Sequence, residues 1–243
     1  MRFPHIQGLI RRRVLVNFRV NPKVIRALLP APLRPHLIGG AAPAGICLIR
    51  LEQVRLAGLP AVLGFSSENA AHRIAVEWDV DGRVQHGVYI PRRDTSSRIA
   101  RLAGGRLFPG QHDLAHFDIT DDGREIAFAM TSGDARTSIE LRARAAPAMP
   151  STSSFATLAG ASAFFEQGSL GYSPTGEGHL DGIRLVTRTW TLAPLEVDYV
   201  RSSYFGDVTR FPPGSVEFDS ALVMRDTESD WRPAPRLRLP AAA

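Results

Sequence analysis

Residues 14–33, VLVNFRVNPKVIRALLPAPL, decide how the chain is to be read. From Val14 to Val20 the side chains alternate: Val14, Val16 and Phe18 fall on one face, Leu15, Asn17 and Arg19 on the other. That is the period of a strand. Asn21 follows as a helix N-cap, and Pro22 suits the first helical position, where its missing N–H costs nothing. Val24, Ile25, Leu28 and Leu29 then recur at helical spacing until Pro30 ends the helix. Lys23 lies off this stripe beside Arg26, so solvent is its expected surrounding.

The same strand signal repeats outward. Ile46–Val54, Arg73–Val80, Val84–Ile90, Leu114–Ile119, Glu125–Thr131, Thr137–Arg142, Leu180–Thr189, Leu195–Val200 and Val216–Met224 read as strands. Asp81-Gly82 and Asp122-Gly123 are hairpin turns between them. Thr95 is expected to cap a helix through Leu102 that Gly104-Gly105 closes, and Ser154–Glu166 carries Phe155, Leu158, Ala161 and Phe165 at helical spacing. Many strands with few helices predict an α+β chain, mainly antiparallel, curled into a barrel or strongly curved sheet. The Pro/Ser stretch 146–153 reads as a surface loop rather than a linker, because neither half alone carries a complete core pattern. One domain over residues 1–243 is therefore expected, with a Pro/Arg/Ala-rich tail fraying from about residue 232.

Composition narrows the function classes. With 44% apolar and 22% charged residues the chain is a globular protein with one sizeable core. Basic residues number 29, and Lys23 is the sole lysine among them, a bias that reads as genome composition. The net charge of +5 and the run Arg11-Arg12-Arg13 raise an anionic-surface or nucleic-acid partner, but no nucleic-acid module is visible and aromatics do not interleave with the arginines. A solvated strand entrance is the plainer reading of that run. Cys47, in the apolar run Ile46–Ile49, is the one cysteine, so no intrachain disulfide forms and a small buried hydrophobe is expected. Neither a signal peptide nor an apolar stretch of membrane-spanning length is visible, so a cytoplasmic protein without membrane or nucleic-acid partners is expected.

Several motifs together resemble a known superfamily. Leu15–Asn21, the short helix and Leu29-Pro30-Ala31-Pro32-Leu33 resemble the N-terminal part of the acetoacetate decarboxylases. Leu48-Ile49-Arg50-Leu51-Glu52 and Phe65-Ser66-Ser67-Glu68-Asn69 resemble two of their strands, each carrying a pocket glutamate. Leu107-Phe108-Pro109-Gly110-Gln111 falls where that superfamily has its paired lysines. The nearer likeness is to the uncharacterised family called domain of unknown function 2071, through Glu68-Asn69 with Arg73, Gly87-Val88-Tyr89-Ile90, Ala100-Arg101, Ser202-Ser203-Tyr204-Phe205 and Phe218–Leu222. The resemblance implies a closed, cone-shaped barrel with an internal pocket, Glu52 and Glu68 facing it, and Arg11 near its mouth. It also leaves a homo-oligomer open.

The chemistry of that superfamily does not carry over. Its decarboxylases need an amine that condenses with a ketone and then accepts the electrons released with CO₂. Here the two lysine positions correspond to Gly110 and Gln111, and neither can form a Schiff base. The expected acid/base groups are instead Glu68, Glu52 and His112, with Arg11, Arg73, Arg92 and Gln111 as candidates for holding a substrate. Salt-bridged structural glutamates, with Arg50 or Arg73 as partner, are the plainer alternative for the carboxylates. His112, His116 and Asp118 share one strand face, but steps of roughly 6.5–7 Å keep them from converging on one metal. Gly168-Ser169-Leu170-Gly171 is no nucleophile elbow, and Leu37-Ile38-Gly39-Gly40 is no phosphate loop.

No metal or cofactor is therefore expected. Two readings stay open: an enzyme acting on a small organic acid or carbonyl compound by carboxylate acid/base chemistry, and a ligand-binding or sensor protein that has kept the barrel without the reaction.

Overall fold

The computed structural model describes residues 4–102, 108–175 and 178–239. Twelve strands form one mixed sheet. β1 (Ile6–Val20), β3 (Ala42–Leu56) and β4 (Phe65–Val80) lie side by side and antiparallel, with the two-residue β2 (Arg34–Pro35) on the outer edge of β4. β4 turns into β5 (Arg83–Thr95) through Asp81 and Gly82, whose φ angles of 49° and 74° are the left-handed pair that a tight hairpin needs. β6 (His112–Asp121), β7 (Glu125–Ser132) and β8 (Ser138–Ala145) form a meander. β8 pairs with β11 (Ala193–Ser202), β11 with β12 (Val216–Arg238), and β12 with β1.

Because β5 pairs with both β4 and β6, these contacts lead round a circuit back to their start. A second circuit branches from the first. β9 (Leu170–Pro174) pairs with β5, and β10 (His179–Thr187) pairs with β9 and β12. Strands β1, β3, β4, β5 and β12 belong to both circuits.

That sharing explains the patterning of the central strands. Val14, Val16, Leu48, Ala70 and Ile74 belong to the largest apolar cluster, while their neighbours Leu15, Cys47 and Ala71 belong to a second one on the opposite face. Burial of one such aliphatic side chain contributes about 1.5–3 kcal/mol, so strands apolar on both faces are held firmly. The second cluster is completed by Ala161 and Phe165 of α3 (Leu158–Gln167), whose N-cap Thr157 accepts a hydrogen bond from the Gly160 N–H. α1 (Pro22–Leu28) begins as the sequence predicts, with Asn21 Oδ1 accepting from the Lys23 N–H.

The chain departs from the sequence expectations at several points. β1 starts at Ile6, so the Arg11–Arg13 run lies inside a strand rather than at its entrance. The short α2 (Arg98–Leu102) is capped by Ser97, whose Oγ accepts from the Ala100 N–H, and not by Thr95, which ends β5. The expected Gly104-Gly105 stop lies outside the described residues. The sheet is mainly antiparallel, as expected, and the two parallel pairings, β5 with β6 and β5 with β9, are what the sequence did not announce. The tail does not fray at residue 232, because β12 runs on to Arg238 with Pro233 opposite Ile183 on β10. Proline fits there because it keeps its carbonyl and loses only a donor. Among the described residues no helix is long and apolar enough to cross a membrane.

Candidate functional site

The face of the central strands that carries Leu15, Cys47 and Ala71 also bounds a cavity of about 110 Å³. Strand register builds this wall in rows. One row runs Leu15, Cys47, Ala71, Arg93 and His112 across β1, β3, β4, β5 and β6. The next runs Arg13, Ile49, Asn69 and Thr95. On the other side, Asn17, Gly45 and Arg73 stand in line. Gly45 has no side chain between them, and the Arg73 Nη2–H donates across it to Asn17 Oδ1. No other residue fits at 45, since a Cβ there would lie 2.1 Å from the Val16 carbonyl oxygen.

Arg13, Arg73 and Arg93 all line the cavity, and none has a carboxylate partner among the described residues. Arg13 Nε–H donates to Cys47 Sγ at 3.2 Å, and its guanidinium lies over Trp190. Arg73 lies over the Phe165 ring with its guanidinium carbon 4.7 Å from the centroid. Arg93 Nε–H donates to Ser173 Oγ. Each retains a buried nitrogen without an acceptor: Nη1 of Arg13, Nε of Arg73 and Nη2 of Arg93. Burial pushes Arg73 and Arg93 down to about 10, which still leaves both charged at neutral pH.

His112 stands beside Arg93, with the Gly110 backbone near its ring, and its buried Nδ1 makes no well-formed hydrogen bond among the described residues. Burial first, then the Arg93 charge, pulls its imidazole down to about 3, so the ring is neutral at pH 7. Asp94 is the one carboxylate among the described lining residues. It is fully buried, and Arg92 engages it through Nη2 at 2.8 Å and Nε at 3.1 Å. The rest of the lining is mostly apolar and includes Val88, Ile90, Ile183, Leu185 and Trp231. The whole is a small, largely apolar chamber with three cationic groups on one wall.

Of the residues singled out in the sequence, His112 and Arg73 stand on this wall and the others do not. Glu68 occupies the opposite face of β4, where Arg12 Nη2 contacts it at 2.8 Å. Its carboxyl is pushed up by burial, against the pull of Arg12. Glu52 bonds Arg11 at 2.9 Å, a contact that holds its carboxyl below the usual range. The pocket glutamates expected from the resemblance are thus ion-paired away from the cavity. Arg11 is half exposed, also bonds Asp226 at 2.7 Å, and does not line the cavity. Arg92 is committed to Asp94, Asp113 and Asp134. Gln111 is exposed, as are His116 and Asp118, while Lys23 sits in solvent on α1.

Arg13 was hidden in an arginine run, and the pair Arg92-Arg93 did not say which of the two turns inward. Consecutive strand residues point to opposite faces, which parts Arg12 from Arg13 and Arg92 from Arg93, and a register shift between Ile10 and Arg12 sets Arg11 apart from both. The signal available was parity: Arg13 shares a face with Leu15, and Arg93 shares a row with Cys47.

Comparison with known proteins places this geometry. The family model DUF2071, "Uncharacterized conserved protein", matches residues 9–206. No curated protein matches the sequence. Among solved structures, an acetoacetate decarboxylase-like enzyme from Sphingomonas wittichii RW1 superposes with a TM-score of 0.60 at 14% identity, covering 98% of this chain and 94% of that one. The acetoacetate decarboxylase of Legionella pneumophila gives 0.57 at 11% identity, over 96% of this chain and 88% of that one. The enduracididine biosynthesis enzyme MppR complexed with pyruvate gives 0.56 at 16% identity, over 97% and 89%. At these identities the likeness is one of fold, an acetoacetate decarboxylase-like sheet.

Proposed function

This chain belongs to the DUF2071 family, and from that premise we propose that it is a small-molecule pocket protein whose ligand is a small organic acid. The observation that carries the reading is the set of buried, unpartnered N–H groups on Arg13, Arg73 and Arg93. A buried guanidinium N–H without an acceptor is costly, and a carboxylate supplies both the missing charge and the missing acceptors. The chamber of about 110 Å³ suits a molecule of a few heavy atoms, well below drug size. The apolar residues that make up the rest of the lining suit a short hydrocarbon or carbonyl end. That MppR takes pyruvate on a similar fold supports the same ligand class.

Calorimetric titration with pyruvate, acetoacetate and neutral acetone tests this. Saturable binding of the two anions, absent for acetone and lost in Arg93→Met, is expected. Equal binding of acetone, or anion binding undiminished in both Arg93→Met and Arg13→Met, removes the proposal.

A second reading, an enzyme acting on the bound acid without a Schiff base, is favoured by one observation. His112 brings a neutral imidazole, its Nδ1 in no well-formed hydrogen bond among the described residues, to the cavity beside Arg93. It is placed to accept or return a proton as charge develops on the acid. Glu52 and Glu68, held in ion pairs elsewhere, give this reading no support. His112→Gln separates the two: an enzyme loses turnover of the bound acid and keeps binding, whereas a carrier or sensor consumes nothing in either form.

A further inference from the structure

His36, Glu77 and His86 lie outside the lining of the cavity and play no part in the reading above. Backbone pairing brings them together from three segments. Arg34 of β2 stands opposite Glu77, and the His36 N–H donates to the Ala75 carbonyl at 3.1 Å, which docks the residue after β2 against β4. Glu77 and His86 are direct partners across the β4–β5 ladder, so their side chains share a face. His36 is further held by Phe164, with ring centroids 4.9 Å apart.

The two imidazoles turn their Nδ1 atoms towards each other at 3.2 Å, and one ligating atom from each of the three residues lies within 4.8 Å of the others. Zinc–nitrogen bonds of about 2.0–2.1 Å at a tetrahedral angle require ligand nitrogens roughly 3.3–3.4 Å apart. The observed separation is close to that figure. Two imidazoles with a carboxylate are a donor set that first-row divalent ions take readily. Arg34 Nε–H donates to Glu77 Oε1 at 2.7 Å and leaves Oε2 without a hydrogen bond among the described residues. This is the outer contact that orients a ligating carboxylate. All three side chains are half-buried, and His36 and Glu77 border an open surface groove, so a fourth coordination position faces water.

We propose that His36, His86 and Glu77 form a binding site for a first-row divalent metal ion of the zinc class, tetrahedral, with its fourth position open to solvent. The ligating atoms already lie within 4.8 Å of one another, and the two tilted rings, 4.3 Å apart between centroids, turn about their side-chain bonds to aim both Nδ1 lone pairs at the ion. Whatever proton one imidazole holds between the two Nδ1 atoms leaves when the metal enters.

The test uses the full chain after chelator treatment. Equilibrium dialysis against Zn²⁺ is expected to show one tightly held ion per chain, and Zn²⁺ is expected to raise the melting temperature. Co²⁺ is expected to give the strong visible absorption of a tetrahedral site. His86→Ala and, separately, Glu77→Gln are expected to weaken Zn²⁺ binding by about tenfold or more. Absence of saturable uptake by the unmodified chain, or uptake unaltered in a folded His36→Ala/His86→Ala double variant, overturns the site. The first outcome would leave the two rings as a plain imidazole–imidazole hydrogen bond. Should the variants fail to fold, the Co²⁺ spectrum of the unmodified chain still decides, since an octahedral spectrum contradicts the proposed geometry.

Discussion

A Cβ placed on Gly110 would lie 2.7 Å from the Cβ of Ser173. Residue 110 also has a φ of +83°, in the left-handed region that glycine tolerates. The position that the sequence resemblance sets against a decarboxylase lysine is therefore closed by the backbone as well as by the residue present. Gly110→Lys is expected to lower stability by about 2 kcal/mol or more, from the unfavourable φ and the collision together. Urea unfolding reads the loss, and borohydride reduction with acetoacetate is expected to leave no adduct on residue 110. An equally stable variant that traps the keto acid would show that the position accepts a working lysine.

The cavity arginines predict an inversion between stability and binding. Arg93 keeps one donor bonded to Ser173 and one buried nitrogen without an acceptor. Arg93→Met removes an uncompensated charge and is expected to raise the stability of the ligand-free protein by about 1 kcal/mol or more. Thermal and urea unfolding without added acid measure it. A clear loss of stability would mean that this guanidinium is already satisfied by the protein.

Glu68 predicts the opposite pattern. It holds Arg12, which is buried and otherwise reaches Asp121 at 3.4 Å. Glu68→Ala is expected to cost about 1–3 kcal/mol, the penalty for a buried donor left without its acceptor. Affinity for small carboxylates should not change, because the pair lies on the far face of β4. Loss of binding in a folded variant would restore Glu68 to the site.

Acid should destabilise the fold through two histidines. His72 is completely buried against Tyr204, with ring centroids 4.3 Å apart, and burial pulls it to about 3, like His112. In the unfolded chain both titrate near 6.5, so between about pH 6.5 and 3 the unfolded state binds more protons. Stability is full above that window and falls as pH drops through it, by about 1.4 kcal/mol per pH unit for each histidine. His72→Phe is expected to remove one proton's worth of slope from urea unfolding measured between pH 7 and 4. An unchanged slope would mean that His72 is protonated in the native state.

The strands and the first helix were legible because period and capping act locally: Val14–Val20, Asn21 with Pro22, and Asp81-Gly82 each declare themselves. What stayed hidden depends on register. Gln53, with a φ of 54°, and the shift between Leu51 and Val54 mark an irregular stretch beside Glu52, and no local pattern announces it. Whether Glu68 or Asn69 faces the cavity is equally a matter of one residue of register. β9 escaped because its residues 170–174, LGYSP, are short and carry glycine and proline. His112 was legible as a candidate only through its place beside Gln111, and which of Arg92 and Arg93 stands next to it became visible only once β5 and β6 were seen to pair in parallel.

The strands common to both circuits act like a party wall between two rooms. On β4, Ile74 and Val76 furnish the packed room, while Asn69, Ala71 and Arg73 furnish the hollow one. Mutations can therefore redecorate one side while the other stays as it was, and a change of ligand need not endanger the architecture. A lineage built on this plan is free to drift in what it recognises far faster than in how it folds.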